Sequence, residues 1–363
     1  VVKTLKRKRS VKMAPVRIGI NGFGRIGRVF TRIAAKDPEV EIVGINDLFF
    51  YNKKKDKFDA KWAAHLFKYD TVYGPYDLDV TLVAEDRLKI GDRPEIRLTA
   101  VPNPAELPWG ELGVDVVIEA TGVFRDPEKA KGHLEAGAKK VLITAPPRGK
   151  KAEETLQILW RVNEQEYEKR GRPDIVSAAS CTTNSLGPVV KVLHEAFGIE
   201  EGFLTTVHAY TNDQRIVDAF HDDLARARAA AANIIPTSTG AARAIPAIFR
   251  ELEGKMDGIA MRVPVPCGSV SDFTATLKRE VTVKEVNEEF LKAAETPLGE
   301  VMKVVEEPIV SSDVLGEDHS AVVALAYTMV LPKMPKVVKV LSFYDNEWGY
   351  CCRLLDVAKF IVK

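Results

Sequence analysis

Val16 to Asn21 is a short, mostly apolar run that leads directly into Gly22-Phe23-Gly24-Arg25-Ile26-Gly27. No other stretch constrains the fold as strongly. The run reads as a buried strand. Arg28 to Lys36 reads as a helix with Val29, Ile33 and Ala34 on its inner face, ended by Pro38, and Glu41 to Ile45 reads as the next strand. Asn46-Asp47 closes that strand, and Asp47 falls 20 residues after Gly27. Strand, glycine turn, helix, strand and acid at this spacing form a βαβ unit of the dinucleotide-binding kind. Gly22 allows the tight turn. Gly24 lets the backbone approach a pyrophosphate, and Gly27 permits close helix–strand contact. The pyrophosphate would sit on the helix N-terminus.

The alternation continues. Asp115 to Glu119 reads as a strand, Asp126 to Ala136 as a helix, Lys140 to Thr144 as a strand and Glu153 to Lys169 as an irregular helix. Ile175 to Ala178 is a strand leading to Cys181. This pattern predicts a mostly parallel, doubly wound sheet. Beyond Cys181 the texture changes. A helix over Ser185 to Phe197 is followed by strand-like runs at 203–208, 258–263, 270–277, 321–331 and 336–344. They predict a second, largely antiparallel sheet. Val283 to Ala293 reads as an amphipathic helix with a Thr282/Glu285 capping box. Asn346 to Ile361 reads as a closing helix.

With 363 residues the chain is long enough for two domains, and its net charge of +1 gives no bulk electrostatic case for nucleic acid or membrane. No apolar run approaches the roughly 18 residues of a membrane span. The cysteines at 181, 267, 351 and 352 form no C-x-x-C pair, which points to free thiols in a reducing compartment and to no metal site. Residues 1–14 form a basic, acid-free arm, read as a flexible tail, with Met13 as an alternative start. A nucleic-acid or targeting arm is the other reading of it.

Cys181 lies in Ser180-Cys181-Thr182-Thr183-Asn184, just ahead of an amphipathic helix. A helix N-terminus stabilises a thiolate through unpaired N–H groups and its dipole. His208, in Val207-His208-Ala209-Tyr210-Thr211-Asn212-Asp213-Gln214, can supply the imidazole of a thiolate–imidazolium pair. His65, His133, His194, His221 and His319 read as structural or surface residues. A nucleophilic cysteine beside a nicotinamide site is the equipment for oxidising an aldehyde through a thioester.

Taken together, six segments make the chain resemble phosphorylating glyceraldehyde-3-phosphate dehydrogenases from Pro15 to the C-terminus. They are Ile20 to Arg28, Ala179 to Asn184, His208 to Gln214, Pro236 to Ala242, Met261 to Pro264 and Tyr344 to Tyr350. The resemblance implies an α/β fold with a Rossmann-type dinucleotide-binding domain and an α+β catalytic domain with a mixed, largely antiparallel sheet. The first domain would span 15–180 and be completed by 346–363; the second would span 181–345. It assigns Cys181 as nucleophile and His208 as base. Thr211 and Arg262 would bind the phosphate of glyceraldehyde 3-phosphate. Ser180, Thr182, Thr239 and Gly240 would bind the attacking inorganic phosphate. For the cofactor it implies Gly22, Gly24, Arg25, Ile26 and Gly27 at the pyrophosphate and Asp47 at the adenosine ribose. Thr121, Gly122 and Thr144 would lie along the cleft, with Asn346 at the carboxamide. Asp47 favours NAD, with NADP as the alternative, because a carboxylate repels a 2′-phosphate. The resemblance also implies a cytoplasmic homotetramer, with the loop from Thr211 to Ile234 lining a neighbour's cofactor site.

The chain departs from the family pattern in places. Ala219-Phe220 stands where NAD-specific members carry Leu-Pro and photosynthetic dual-cofactor members carry Ala-Ser. Ser185 replaces a second cysteine, and Ala178 replaces an asparagine. The segments 48–61 and 147–174 are longer and more basic than usual and read as solvated loops. The competing readings are an NADP-using photosynthetic or gluconeogenic form, an erythrose-4-phosphate dehydrogenase, and a nucleic-acid-binding protein on the same fold.

Overall fold

The βαβ unit expected from the glycine run is present. In the computed structural model, which describes residues 14–363, strand β1 (Val16–Asn21) pairs in parallel with β2 (Val40–Asn46) across helix α1 (Arg25–Ala34). The basic residues of the expected N-terminal arm lie outside the described residues. Six further strands complete the first sheet: β3 (Val80–Ala84), β4 (Arg87–Ile90), β5 (Ile96–Thr99), β6 (Val116–Glu119), β7 (Lys140–Ile143) and β8 (Ile175–Ser177). Their order is β8-β7-β6-β1-β2-β5-β4-β3, parallel from β8 to β5 and antiparallel at the β4 and β3 edge. Chain order reverses between β1 and β6, so a crevice opens beyond Asn21 and Glu119, where such sheets bind ligands.

The glycine turn shows why the residue types matter. Gly22 has φ +99°, and a Cβ there would come within 2.7 Å of the Ala120 and Thr121 backbone. A Cβ on Gly27 would run into the Gly22 carbonyl oxygen, whereas Gly24 faces open space with nothing within 4 Å.

The second sheet comprises β9 (Ile199–Ala209), β10 (Ile235–Ser238), β11 (Met256–Val263), β12 (Ser269–Leu277), β13 (Met302–Val305), β14 (Ala321–Ala324), β15 (Met329–Leu331) and β16 (Met334–Tyr344). Its order is β10-β11-β9-β12-β16-β14-β13, with β15 paired to β16. Only β9–β11 and β13–β14 are parallel, so the sheet is mixed and largely antiparallel. Helix α2 (Cys181–Phe197) buries Leu186, Val189, Val190 and Leu193 in the core of this sheet. Helix α3 (Val283–Ala294) carries the capping box read from Thr282 and Glu285. Helix α4 (Trp348–Ile361) returns to the first core, contributing Tyr350, Cys351, Leu354, Val357 and Ile361.

Several elements differ from expectation. The helix expected at 153–169 exists only as a turn, Glu166–Lys169. Its backbone groups go to the sheet edge instead: Ile158 N–H donates to Ser177 O (2.8 Å) and Ser177 N–H to Leu156 O (3.0 Å). Asn163 then holds the bend, accepting from Leu159 N–H and donating to Gln157 O. The helix expected at 126–136 is split into Pro127–Ala130 and Gly132–Glu135. The run expected at 321–331 is interrupted by a 3-10 turn at Leu325–Tyr327.

Arg25 clamps the closing helix to the first domain. Its guanidinium pairs with both Asp70 and Glu347, whose side chains are 3% and 12% exposed. Burial alone would raise the Asp70 carboxyl; Arg25 and the Tyr73 and Val72 N–H groups outweigh it and hold it below its usual range. Arg25→Ala would leave two buried carboxylates without their cation, at an expected loss of about 2–3 kcal/mol in urea unfolding near pH 7. Because the folded Asp70 pKa is depressed, its contribution is present above the unfolded carboxyl pKa. It is lost as pH falls through the folded value, so the deficit shrinks in acid.

Candidate active site

Strand β8 reaches α2 through a strained elbow. Ala179 is fully buried with φ +56°, a left-handed conformation that costs an alanine free energy. Side chains pin it on both sides: Ala179 N–H donates to Ser177 Oγ (2.9 Å), and Tyr350 OH donates to Ala179 O (3.1 Å). Asn184 Nδ2 donates to Ala178 O (2.8 Å). Ser180 then caps α2 by accepting from Thr183 N–H (3.0 Å), which makes Cys181 the first helical residue. The cysteine thus sits on the helix N-terminus itself, closer than the expected start at Ser185 implied. Ala179→Val would add a β-branched side chain at positive φ in a closed site. The expected outcome is a loss of about 3 kcal/mol in thermal unfolding, together with slower alkylation of Cys181.

His208 lies near the end of β9, and its Nε2 is 3.4 Å from the Cys181 Sγ. Parallel pairing sets His208 opposite Arg262 on β11. Arg262 Nη1 is 2.6 Å from His208 Nδ1 and donates to Ala209 O at 2.9 Å, while Nδ1 also lies 2.7 Å from that carbonyl. The Arg262 Nε is buried with no partner among the described residues. Tyr344 closes the far side. Its ring meets the imidazole edge-on at 5.9 Å, and its hydroxyl links Thr182 Oγ1 and Thr206 Oγ1, each at 2.9 Å.

Burial pushes the Cys181 thiol up, against the pull of the Arg262 guanidinium and the Thr182 hydroxyl. Burial, and then Arg262, hold His208 down to about 3, with only the Ala209 carbonyl opposing them. Burial thus works against both charged forms, while the Arg262 guanidinium and the Thr182 hydroxyl favour the thiolate. An imidazole with a folded pKa near 3 binds fewer protons than in the unfolded chain, whose value is near 6.5. Stability from this site is complete above about 6.5 and declines as pH falls toward 3. Denaturant unfolding at pH 7 and pH 4.5 is expected to show a smaller acid loss in His208→Asn than in the wild type.

Around this pair, Thr211 N–H and Oγ1–H both donate to Gln214 Oε1, at 2.9 and 3.2 Å. Thr239 and Gly240 open the helical turn Ala241–Ala244, which packs on α2. On the cofactor side, the first α1 bond runs from Arg28 N–H to Gly24 O (3.0 Å), so the Arg25 and Ile26 N–H groups lie ahead of the ladder. The Asp47 carboxylate accepts from Phe23 N–H (2.7 Å) and Phe49 N–H (2.9 Å), which ties it to the glycine turn. Thr144 Oγ1–H donates to Glu119 O (3.0 Å), and the Thr121 N–H donates to Glu119 Oε1 (2.9 Å) just ahead of Gly122. Asn346 is buried, its Oδ1 accepting from Gly268 N–H and Ser269 Oγ–H. Its Nδ2 finds no protein acceptor among the described residues. Free N–H groups, open space at Gly24 and a reachable carboxylate fit a dinucleotide. No cluster that could hold a metal ion occurs among the described residues.

Sequence reading missed the supports. Glu119 is a buried carboxylate that accepts from Asn21 Nδ2, His133 Nε2 and the Thr121 backbone. Trp109 Nε1–H donates to His133 Nδ1 (3.0 Å), which places the His133 proton on Nε2, toward Glu119. Asp345 accepts from Tyr73 OH, Gly316 N–H and Trp348 N–H, and so joins both domains beside Asn346. An acid ending a buried strand, at Glu119, was the only local signal for the first of these.

Known proteins match this architecture throughout. Residues 16–127 match the NAD-binding domain of glyceraldehyde 3-phosphate dehydrogenase, and residues 180–346 match its C-terminal domain. Glyceraldehyde-3-phosphate dehydrogenase of Mycolicibacterium smegmatis is 48% identical over 354 residues, 96% of this chain and 99% of the relative. That of Mycobacterium leprae is 48% identical over 353 residues, with the same coverage. Glyceraldehyde-3-phosphate dehydrogenase 2 of Streptomyces avermitilis is 49% identical over 347 residues, 95% of this chain and 98% of the relative. With the thiol–imidazole pair seated beside a dinucleotide crevice and near-half identity over almost its whole length, the chain belongs to the glyceraldehyde-3-phosphate dehydrogenase family.

Proposed function

We propose that the chain oxidises D-glyceraldehyde 3-phosphate and phosphorylates the product to 1,3-bisphosphoglycerate, through a thiohemiacetal and a thioester on Cys181. The observation that carries this reading is the 3.4 Å contact of Cys181 Sγ with His208 Nε2 at the N-terminus of α2. Cys181 adds to the aldehyde carbon, and His208 takes the proton as the thiohemiacetal collapses. A bound nicotinamide supplies the hydride acceptor. The thioester retains the oxidation energy until inorganic phosphate attacks it and Sγ leaves. Arg262 and Thr211 hold the substrate phosphate, and a guanidinium with an orphaned Nε suits that anion. Ser180, Thr182, Thr239 and Gly240 serve the attacking phosphate.

Gly22, Gly24, Arg25, Ile26 and Gly27 hold the cofactor pyrophosphate, Asp47 the ribose and Asn346 Nδ2 the carboxamide, with Thr121, Gly122 and Thr144 along the cleft. The Asp47 carboxylate favours NAD, because a 2′-phosphate beside it brings like charges together. The domain limits we assign are 15–180 with 346–363, and 181–345; the return of Tyr350, Leu354 and Ile361 to the first core supports the former, while Leu159, Val162 and Ala179 pack in the second core across the boundary. The segment after Thr211 exposes Ile216, Phe220 and Leu224, each at 84% or more, which supports burial against further copies in a homotetramer. Four free cysteines agree with a reducing, cytoplasmic setting. No described helix is long and apolar enough to cross a membrane.

The test follows absorbance of the reduced nicotinamide with glyceraldehyde 3-phosphate, with and without inorganic phosphate, using NAD and then NADP. Phosphate-dependent reduction of NAD, preferred by about 100-fold, supports the reading. Preference for NADP would move the function to the anabolic form and make Ala219-Phe220 the positions to exchange. Turnover only with erythrose 4-phosphate would replace the substrate.

A further inference from the structure

Strand β12 lies between two strands that lead to the site: β9, which ends at His208-Ala209, and β16, which ends at Tyr344, two residues ahead of Asn346. The first residue of β12, Ser269, is paired with Tyr344 and is 1% exposed. Its hydroxyl touches both neighbours. Ala209 N–H donates to Ser269 Oγ at 3.1 Å, and Ser269 Oγ lies 2.9 Å from Asn346 Oδ1. A backbone N–H can only donate, so Oγ accepts on that side and its one proton goes to Asn346. The other donor to the same amide oxygen is Gly268 N–H at 3.1 Å. The Cys267 thiol, 3.6 Å from that oxygen, is nearer to Asp345 Oδ1 at 3.2 Å and gives its proton there.

We propose that Ser269 is a positioning residue for the cofactor: its hydroxyl locks the Asn346 amide with Nδ2 turned to the nicotinamide carboxamide. This rests on the reading of Asn346 as the residue that holds that carboxamide. The amide has two orientations, and only one suits its partners. Turned end for end, its NH2 would face Gly268 N–H donor to donor, and the Ser269 proton would be left in a buried place without an acceptor. With the oxygen inward, both donors are satisfied. Both Nδ2 protons then remain available, since Nδ2 has no acceptor among the described residues. Ser269 is enclosed and acts through Asn346, not on the cofactor itself. The same hydroxyl holds the peptide that follows His208, and the carbonyl of Ala209 lies 2.7 Å from the imidazole Nδ1. One oxygen atom thus fixes the holder of the hydride acceptor relative to the segment that carries the base.

The test titrates NAD and ADP-ribose, by calorimetry, into the full chain freed of cofactor. ADP-ribose keeps the adenosine and the pyrophosphate but has no nicotinamide. The proteins are wild type, Ser269→Ala, Asn346→Ala and the double variant. Ser269→Ala is expected to bind NAD about 3- to 10-fold more weakly, the worth of one neutral hydrogen bond. Its affinity for ADP-ribose should stay within about twofold of wild type, and its effect on NAD should vanish in the Asn346→Ala background. Ser269→Cys, close in size but a weak donor, repeats the comparison should the alanine variant fold poorly. Wild-type affinity for NAD in Ser269→Ala would overturn the proposal. So would an equal loss for NAD and ADP-ribose, the mark of a general structural defect, or a serine effect that persists without Asn346. Unaltered NAD binding by Asn346→Ala would overturn the carboxamide reading beneath the proposal, whatever Ser269 shows.

Discussion

Replacing Cys181 with serine is expected to reduce phosphate-dependent nicotinamide reduction by at least about 10⁴-fold, because the step removed is formation of the covalent intermediate. Serine keeps the size, the helix N-terminal position and the contact with His208 Nε2. What it loses is acidity and nucleophilicity. A thiol in this position is already pushed above its usual value by burial, and an alcohol starts far higher still. Single-turnover absorbance with excess enzyme is the appropriate measurement, since it separates chemistry from product release. Retention of more than about one per cent of the wild-type rate would remove Cys181 from the covalent role. Cofactor affinity should stay within about twofold, because Asp47 and the glycine turn do not touch the sulfur.

His208→Asn is expected to lower the same rate by about 10²–10⁴-fold, the usual worth of a positioned general base. The loss should fall on kcat more than on KM for the aldehyde, since the phosphate is bound elsewhere. Its second signature is the pH profile. In the wild type the rising limb reflects the coupled thiol–imidazole pair in the substrate-bound state, not the free imidazole near 3. In the variant the limb should move upward, toward the half-buried thiol alone. An unshifted limb would mean that another group takes the proton.

Much of this was legible in local sequence because the decisive features are local. The turn at Gly22 to Gly27 is set by backbone clearance and by a helix that follows at once. The Thr282/Glu285 box is fixed by residues three apart, whereas the equally local Ser180 cap is missed by a reading that starts the helix at Ser185. Cys181 and His208 were recognisable as candidates from their short motifs. Their meeting at 3.4 Å depends on β9 pairing, a long-range event with no local mark. The same holds for Arg262 on Nδ1, which requires the parallel register of β9 and β11. The segment 153–169 misled because its apolar spacing suited a helix, while its hydrogen bonds were claimed by the free edge of β8. Charge states are the least legible, because burial, which no local motif reveals, opposes what a helix N-terminus favours at the thiol.

The placement of α4 has a consequence for how the chain is made. The first sheet is synthesised early, yet part of its core, Tyr350 through Ile361, arrives last. The Arg25 clamp onto Glu347 and the Tyr350 bond to the Cys181 elbow arrive with it. While translation continues, the nucleotide-binding half therefore lacks the helix that seals it, and the thiol lacks its correct pose. Completion waits until 348–361 has left the ribosome, so a chain stalled before that helix emerges carries an open apolar face. Such nascent chains are natural clients for chaperones. Any change that hinders docking of α4 would also burden the assembly of the first sheet, whose first strand begins at Val16, far from Trp348 in sequence.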